Sequence, residues 1–135
     1  MAKTFKLSVV APDRVVFEDT VNSTVLPGTE GYLGVMAGHE PMILALRPGV
    51  LEYKDTGDQR HYVSVDGGFA EVSGARVIVL ADNARRASEI DVAENEKLLE
   101  EARKALRGEE SSMNSSEAQA EVDRALARLR AARTR

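Results

Sequence analysis

Near residue 86 the chain changes character. All six aromatic residues, all four prolines and every glycine except Gly108 lie before that point, and the remainder is built almost wholly from Ala, Glu, Arg, Leu and Ser. Aromatic, Pro and Gly residues mark strands and tight turns, whereas the second composition is that of helices. The expectation is an α+β chain: an N-terminal antiparallel β-sandwich over residues 1–86, followed by an antiparallel two-helix hairpin over residues 87–135. In this chain of 135 residues the first part is long enough to enclose a core, and the second has too little apolar bulk to stand alone. Its role therefore turns on what it docks against.

In the first part, Phe5, Leu7 and Val9 alternate with Lys6 and Ser8, the period of a strand with one wet face. Comparable runs follow at Val15 to Phe17, Val21 to Leu26, Met42 to Leu46, Val50 to Tyr53, His61 to Val65, Phe69 to Val72 and Val77 to Leu80. Turn signals separate them, among them Pro27-Gly28, Pro48-Gly49, Asp55-Thr56-Gly57 and Asp66-Gly67-Gly68. Val77-Ile78-Val79-Leu80 is apolar in both phases, which predicts a central strand covered on both sides. The stretch from Gly28 to Pro41 breaks the rhythm and reads as a glycine-rich loop. Its Tyr32, Leu33, Val35 and Met36 are too apolar for solvent, so the loop either folds back on the core or meets a partner.

In the second part, either Ser88 with Asp91 or Asp91 with Glu94 forms the helix-opening cap. Val92, Leu98, Leu99, Ala102, Ala105 and Leu106 then share one face, and Gly108 ends the helix. The polar stretch from Glu109 to Ser115 supplies a turn. Ser116 with Gln119 caps a second helix whose stripe is Ala118, Val122, Ala125, Leu126, Leu129 and Ala132. Large apolar side chains are few in this hairpin relative to the entropy of ordering it, which predicts an arm that can lie on the sandwich, open, or rearrange against another protein. A hairpin permanently packed on its own sandwich is the alternative. The tip carries Arg124, Arg128, Arg130, Arg133 and Arg135 with no acid after Asp123. Such a cluster serves either as dipole-complementing, solvated charge or as a docking surface for an acidic partner.

Several functions are disfavoured. There are no cysteines, so disulfides and thiolate metal sites are excluded. No apolar run approaches the ~20 residues that cross a bilayer, and the N-terminus alternates charge with apolar residues. A soluble intracellular protein without direct membrane insertion is the expectation. A net charge of −4 argues against nucleic acid as a partner. No nucleophile elbow, paired-histidine motif or phosphate-cradling glycine loop is present. His39 lies beside Glu40, yet the other histidine, His61, sits in a separate strand, so a metal-dependent sandwich enzyme finds no ligand set. The expectation is a non-enzyme with no catalytic residues, no metal and no cofactor.

Read in order, Glu30-Gly31 to Gly34, Gly38-His39-Glu40-Pro41, Leu46-Arg47-Pro48-Gly49, Gly67-Gly68-Phe69-Ala70-Glu71-Val72 and Val79-Leu80-Ala81-Asp82 precede Ile90-Asp91 at the head of a helical hairpin. This succession resembles the epsilon subunit of bacterial and chloroplast F-type ATP synthases along essentially the whole chain. The resemblance implies a ten-stranded sandwich and two helices in the central stalk of a rotary, proton-translocating enzyme. It implies that the sandwich binds the gamma shaft and the membrane-embedded c-ring, coupling proton flow to ATP synthesis. The arm is implied to reach toward the alpha and beta subunits and inhibit ATP hydrolysis. By similarity, Glu30, Gly31, Tyr32 and His39 fall where family members approach the ring and gamma, and Arg124, Arg128, Arg130 and Arg133 face an acidic segment of beta. The implied location is the cytoplasmic or stromal face of an energy-transducing membrane, as a peripheral part of the complex.

The chain departs from the resemblance at one place. Some bacterial epsilon subunits bind ATP through Ile-Asp-x-x-Arg-Ala, whereas this chain reads Ile90-Asp91-Val92-Ala93-Glu94-Asn95. Glu94 sets an anion where a phosphate-facing cation is expected, so weak or absent ATP binding is predicted. A nucleotide-sensing β-sandwich binding module is the alternative reading.

Overall fold

The longest strand decides the architecture. In the computed structural model, which describes residues 3–109 and 112–134, nine strands are formed. They are β1 (Phe5–Ala11), β2 (Arg14–Gly28), β3 (Gly31–Met36), β4 (Met42–Leu46), β5 (Gly49–Asp55), β6 (Arg60–Val65), β7 (Gly68–Val72), β8 (Arg76–Ala81) and β9 (Ala84–Arg86). The first half of β2 pairs with β1, and its second half pairs with β3 and β5. It therefore belongs to both layers, one running β2-β1-β8-β7-β4 and the other β3-β2-β5-β6-β9. The turning point is a bulge: Val21 faces Asp55 and Ser23 faces Lys54, leaving Asn22 as the extra residue. The Asn22 side-chain amide donates to Asp58 at 2.8 Å.

The runs from Val15 to Phe17 and from Val21 to Leu26 are thus one bent strand, and the ten-strand expectation becomes nine among the described residues. The glycine-rich segment is corrected too, because Gly31–Met36 is a strand rather than a loop. Gly28 and Gly31 flank a two-residue turn, where a Cβ on Gly28 would sit 2.7 Å from the Gly31 carbonyl oxygen and Gly31 has φ +133. Beyond that turn Val35 is buried and Leu33 packs beside it, while Tyr32, Gly34 and Met36 face outward, the ordinary alternation of a half-buried strand. The short β9 has no signal of its own; three residues are too few for a period to be read. All ladders are antiparallel except β1 with β8, which is parallel.

Both layers fill one core, in which Leu7, Val9, Val21, Leu26, Leu51, Tyr53, Val63, Val65, Val77 and Val79 are essentially inaccessible. Each contributes roughly 1.5–3 kcal/mol through burial. Phe17, Tyr53 and His61 stack in series at 5.0 and 4.8 Å between ring centroids, and the Arg86 guanidinium lies 5.4 Å above Phe17. Burial pushes the Tyr53 hydroxyl up in pKa, with Arg86 acting in the opposite direction.

A 3-10 turn (Ala87–Glu89) leads into α1 (Val92–Leu106) and α2 (Ser115–Thr134). Asp91 is the cap of α1, its carboxylate accepting from the Glu94 backbone N–H at 3.0 Å, so of the two expected pairs it is Asp91, not Ser88, that opens the helix. Gly108, at φ +80, closes α1 as expected: its N–H donates to Ala105 and that of Glu109 to Lys104, a Schellman arrangement. The second cap is Asn114 rather than Ser116, because Asn114 Oδ1 takes the Glu117 N–H at 2.9 Å and its amide donates to Glu117. Glu110 and Ser111 of the connecting stretch lie outside the described residues.

Leu99 and Ala102 meet Val122, Ala125 and Leu129 along the helix seam. Leu106 and Leu126, expected on that seam, are 41% and 38% exposed. Helix α2 in fact has two buried faces. One meets α1, and the other, carrying Ala127 and Ala131, turns toward β5 and β6. Beneath α2 the outward, cross-strand pair Val50 and Ser64 is buried. Two alanines let backbones approach closely, and they gave no stripe of their own because every alanine of this region suits a helix equally.

Asp55 closes the β5–β6 turn, accepting from the Gly57 and Gln59 backbone N–H groups at 2.8 and 3.0 Å and pairing with His61 Nε2 at 2.8 Å. Hydrogen bonding to His61, then to Gln59, holds its carboxyl below the usual carboxylate range. A depressed folded pKa contributes stability that is complete above about pH 5 and is lost as pH falls through the folded value. Asp55→Asn is expected to flatten the acid limb of a plot of thermal midpoint against pH while leaving the neutral region's slope unchanged.

Candidate functional site

The two outer faces of the sandwich are treated differently by the chain. The hairpin lies over β5 and β6, whereas nothing among the described residues covers the outer face of β4, β7, β8 and β1. On that open face Ala45, Phe69, Leu80, Val10 and Val15 are register partners from strand to strand, making one lateral row across five strands. Phe69 is 56%, Leu80 54% and Val15 62% exposed, and Ile43 in the adjacent row is 75% exposed. Isolated exposed apolar residues are ordinary, but a contiguous row marks a contact surface. The expectation that Val77 to Leu80 is covered on both sides is therefore corrected. Val77 and Val79 enter the core, while in the outward phase Ile78 is half-buried and Leu80 is exposed among the described residues.

The four residues expected to meet the ring and shaft are not one cluster. Glu30, Gly31 and Tyr32 occupy the tip of the β2–β3 hairpin, whereas His39 follows the far end of β3, separated from them by roughly 20 Å of extended strand. Tyr32 is held by Arg47, whose guanidinium lies 5.2 Å from the ring centroid while its Nε donates to the Gly28 carbonyl at 3.2 Å. His39 Nδ1 bonds the Glu40 carbonyl at 2.8 Å, and Gly38 N–H donates to Gly74 in the β7–β8 turn. Each position is fixed by its neighbours, but only the tip is an exposed, apolar-plus-charged projection.

Where hairpin and sandwich meet there is an open cavity of about 230 Å³ lined by Asn83, Arg85, Glu89, Ile90, Asp91, Glu94, Asn95, Leu98 and Arg128. Ile90 and Asp91 line it, and Glu94 stands beside them. Its three carboxylates outnumber its two guanidinium groups, and one of those is occupied. Arg128 Nη2 donates to Asp66 Oδ2 at 2.7 Å, and Nη1 reaches Asn95 Oδ1 at 3.3 Å and Glu121 Oε1 at 3.5 Å. Asp66, Asn95 and Glu121 were not singled out by sequence. Asp66 reads as a turn residue before Gly67-Gly68; a buried Asn in a helix otherwise rich in strong helix formers was the one available hint.

The other tip arginines are largely engaged as well. Arg124 pairs with Glu121 at 2.8 Å and Arg133 with Glu96 of α1 at 2.6 Å. Arg130 is exposed and lines a hollow of about 200 Å³ with Arg47, Asp123 and Leu126. Arg135 lies outside the described residues.

Residues 4–87 match the family described as "ATP synthase, Delta/Epsilon chain, beta-sandwich domain", and residues 88–133 match "ATP synthase, Delta/Epsilon chain, long alpha-helix domain". The chain belongs to the ATP synthase delta/epsilon family. The ATP synthase epsilon chain of Desulforamulus reducens is 37% identical over 132 residues, covering 98% of this chain and 99% of its own length. That of Nitratidesulfovibrio vulgaris is 42% identical over 130 residues, 96% of each. A chain in the cryo-EM structure of the Euglena gracilis mitochondrial ATP synthase, OSCP/F1/c-ring in rotational state 1, superposes with a TM-score of 0.73 at 29% identity, over 90% of this chain and 76% of that one. A chain of the Tetrahymena thermophila mitochondrial ATP synthase central stalk/c-ring shares the fold at 11% identity, with a TM-score of 0.60.

For this member of the delta/epsilon family, the two phases of β8 should respond differently to substitution. Leu80→Thr on the open face is expected to change unfolding free energy in urea by less than about 0.5 kcal/mol, whereas Val79→Ala on the inner face costs about 2 kcal/mol.

Proposed function

We propose that the protein is a non-catalytic central-stalk subunit of a proton-translocating rotary ATP synthase, coupling proton flow to ATP synthesis. The uncovered row of Phe69, Leu80, Val10 and Val15 carries this reading, because it leaves a body built to rest against a larger partner. Membership of the delta/epsilon family supplies the complex. On this reading the open face packs on the gamma shaft, and the hairpin tip with Glu30, Gly31 and Tyr32 approaches the c-ring. His39, at the other end of β3, lies on the gamma side. The location is the cytoplasmic or stromal face of the membrane; no described helix is long and apolar enough to cross it.

The arm is the regulatory part. Helix α2 rests on the sheet through small side chains and one charge cluster, so it can leave at modest cost and extend toward alpha and beta. Arg124, Arg128, Arg130 and Arg133 then face an acidic segment of beta and impede ATP hydrolysis. Deletion of residues 88–135 is expected to leave a folded sandwich that still joins gamma and the ring, while ATP hydrolysis by the complex rises. Unchanged hydrolysis under all nucleotide conditions would remove the inhibitory role and leave coupling alone.

A nucleotide-sensing module is the second reading, and the cavity at Ile90 and Asp91 speaks against it. Glu89, Asp91 and Glu94 bring three carboxylates, of which only Glu89 has a cationic partner, Arg14 at 3.7 Å, among the described residues, and Arg128 is already paired with Asp66. A polyphosphate entering there meets repulsion where charge-assisted bonds are needed. Titration of the isolated chain with magnesium-free ATP is expected to show no saturation in the micromolar range.

A further inference from the structure

The Asp66–Arg128 pair, with 6% and 14% of its side chains exposed, is the least exposed ion pair among the described residues. Asp66 stands in the turn between β6 and β7, and Arg128 lies in the second half of α2. The remaining ion pairs of α2 stay within the hairpin: Arg124 and Arg128 with Glu121, and Arg133 with Glu96. Among the described residues, this is therefore the one ion pair joining α2 to the sandwich. Beside it α2 buries Ala127 and Ala131 off the helix seam, methyl groups that give closeness without direction.

The pair is also incompletely satisfied. Asp66 Oδ1 is buried with no hydrogen-bond partner, so docking the arm removes a carboxylate oxygen from water without replacing that contact. Arg128 compensates through the other oxygen alone. Such a contact holds only while the guanidinium stays, and the same guanidinium belongs to the basic tip.

We propose that Asp66 is the docked-arm counter-ion of Arg128 and competes with an acidic partner surface for that one guanidinium, so that this carboxylate sets how often the arm extends. The proposal rests on the reading of the arm as an inhibitor of hydrolysis. It makes Arg128 a shared group with two mutually exclusive partners. Weakening Asp66 then acts oppositely to weakening Arg128, although either change undocks the arm.

Hydrogen exchange on the full chain and ATP hydrolysis by the reconstituted complex test this together. In Asp66→Asn, an isosteric change that keeps a hydrogen-bond acceptor, the amides of Ser115–Thr134 are expected to exchange about tenfold faster while those of β1, β7 and β8 are unchanged. The complex carrying it should hydrolyse ATP more slowly than wild type. Arg128→Gln should accelerate the same amides without deepening inhibition, because the group that grips the partner is gone. Glu121→Gln, which touches Arg128 from within α2, should leave α2 exchange as in wild type. Unchanged exchange in Asp66→Asn overturns the counter-ion, and equal inhibition by Asp66→Asn and Arg128→Gln overturns the sharing. Accelerated exchange with hydrolysis unmoved in both variants supports the counter-ion and overturns the inhibitory reading beneath the competition.

Discussion

A sandwich of two sheets has two outer faces, and this chain has helix enough for only one. The residues that close the core, from Leu7 and Val9 to Val77 and Val79, satisfy the inner faces completely. Outside, α2 shelters Val50 and Ser64 on β5 and β6, while Phe69, Leu80, Val15 and Ile43 face solvent. Burial of apolar area is the dominant driving force in association, so the uncovered face has a thermodynamic demand that the chain does not meet internally. That difference gives the molecule a polarity: one outer face carries exposed apolar side chains, and the other carries the packed helix α2.

The hairpin's contact with the sandwich is of a different kind from the core. Alanine side chains bring little apolar area, and the seam of Leu99, Val122 and Leu129 ties the helices to each other rather than to the sheet. Specific attachment is concentrated in the Asp66–Arg128 pair. Buried charges of this sort contribute little net stability but fix position, and they react sharply to loss of one member. A docked state held in this manner is well defined in geometry and shallow in energy.

Much of this was legible in the residues. Alternation located eight apolar runs, which fall in seven of the nine described strands, the change in composition near residue 86 announced the helices, and Gly108 ended α1 where a left-handed residue was required. What failed did so for identifiable reasons. Glycine density from Gly28 to Gly38 masked β3, because two of those glycines serve the turn and Gly34 lies within the strand itself. Both phases of Val77 to Leu80 are apolar, and the sequence alone does not say which of the two phases enters the core. Ser116 and Asn114 are both competent caps two residues apart, and only backbone geometry chose between them. The tie from Asp66 to Arg128 spans 62 positions, a distance over which no local pattern exists.

The parallel pairing of β1 with β8 has a consequence for biosynthesis. Lys6 must wait for Arg76, and Leu7 for Val77, before the sheet that contains them is complete. Contacts between distant positions form late, so the N-terminal strand leaves the ribosome with one hydrogen-bonding edge vacant until nearly the whole sandwich has been translated. The helices emerge only after that vacancy can be filled. Vectorial synthesis thus places both strands that α2 packs on, β5 and β6, ahead of α2 in the order of translation.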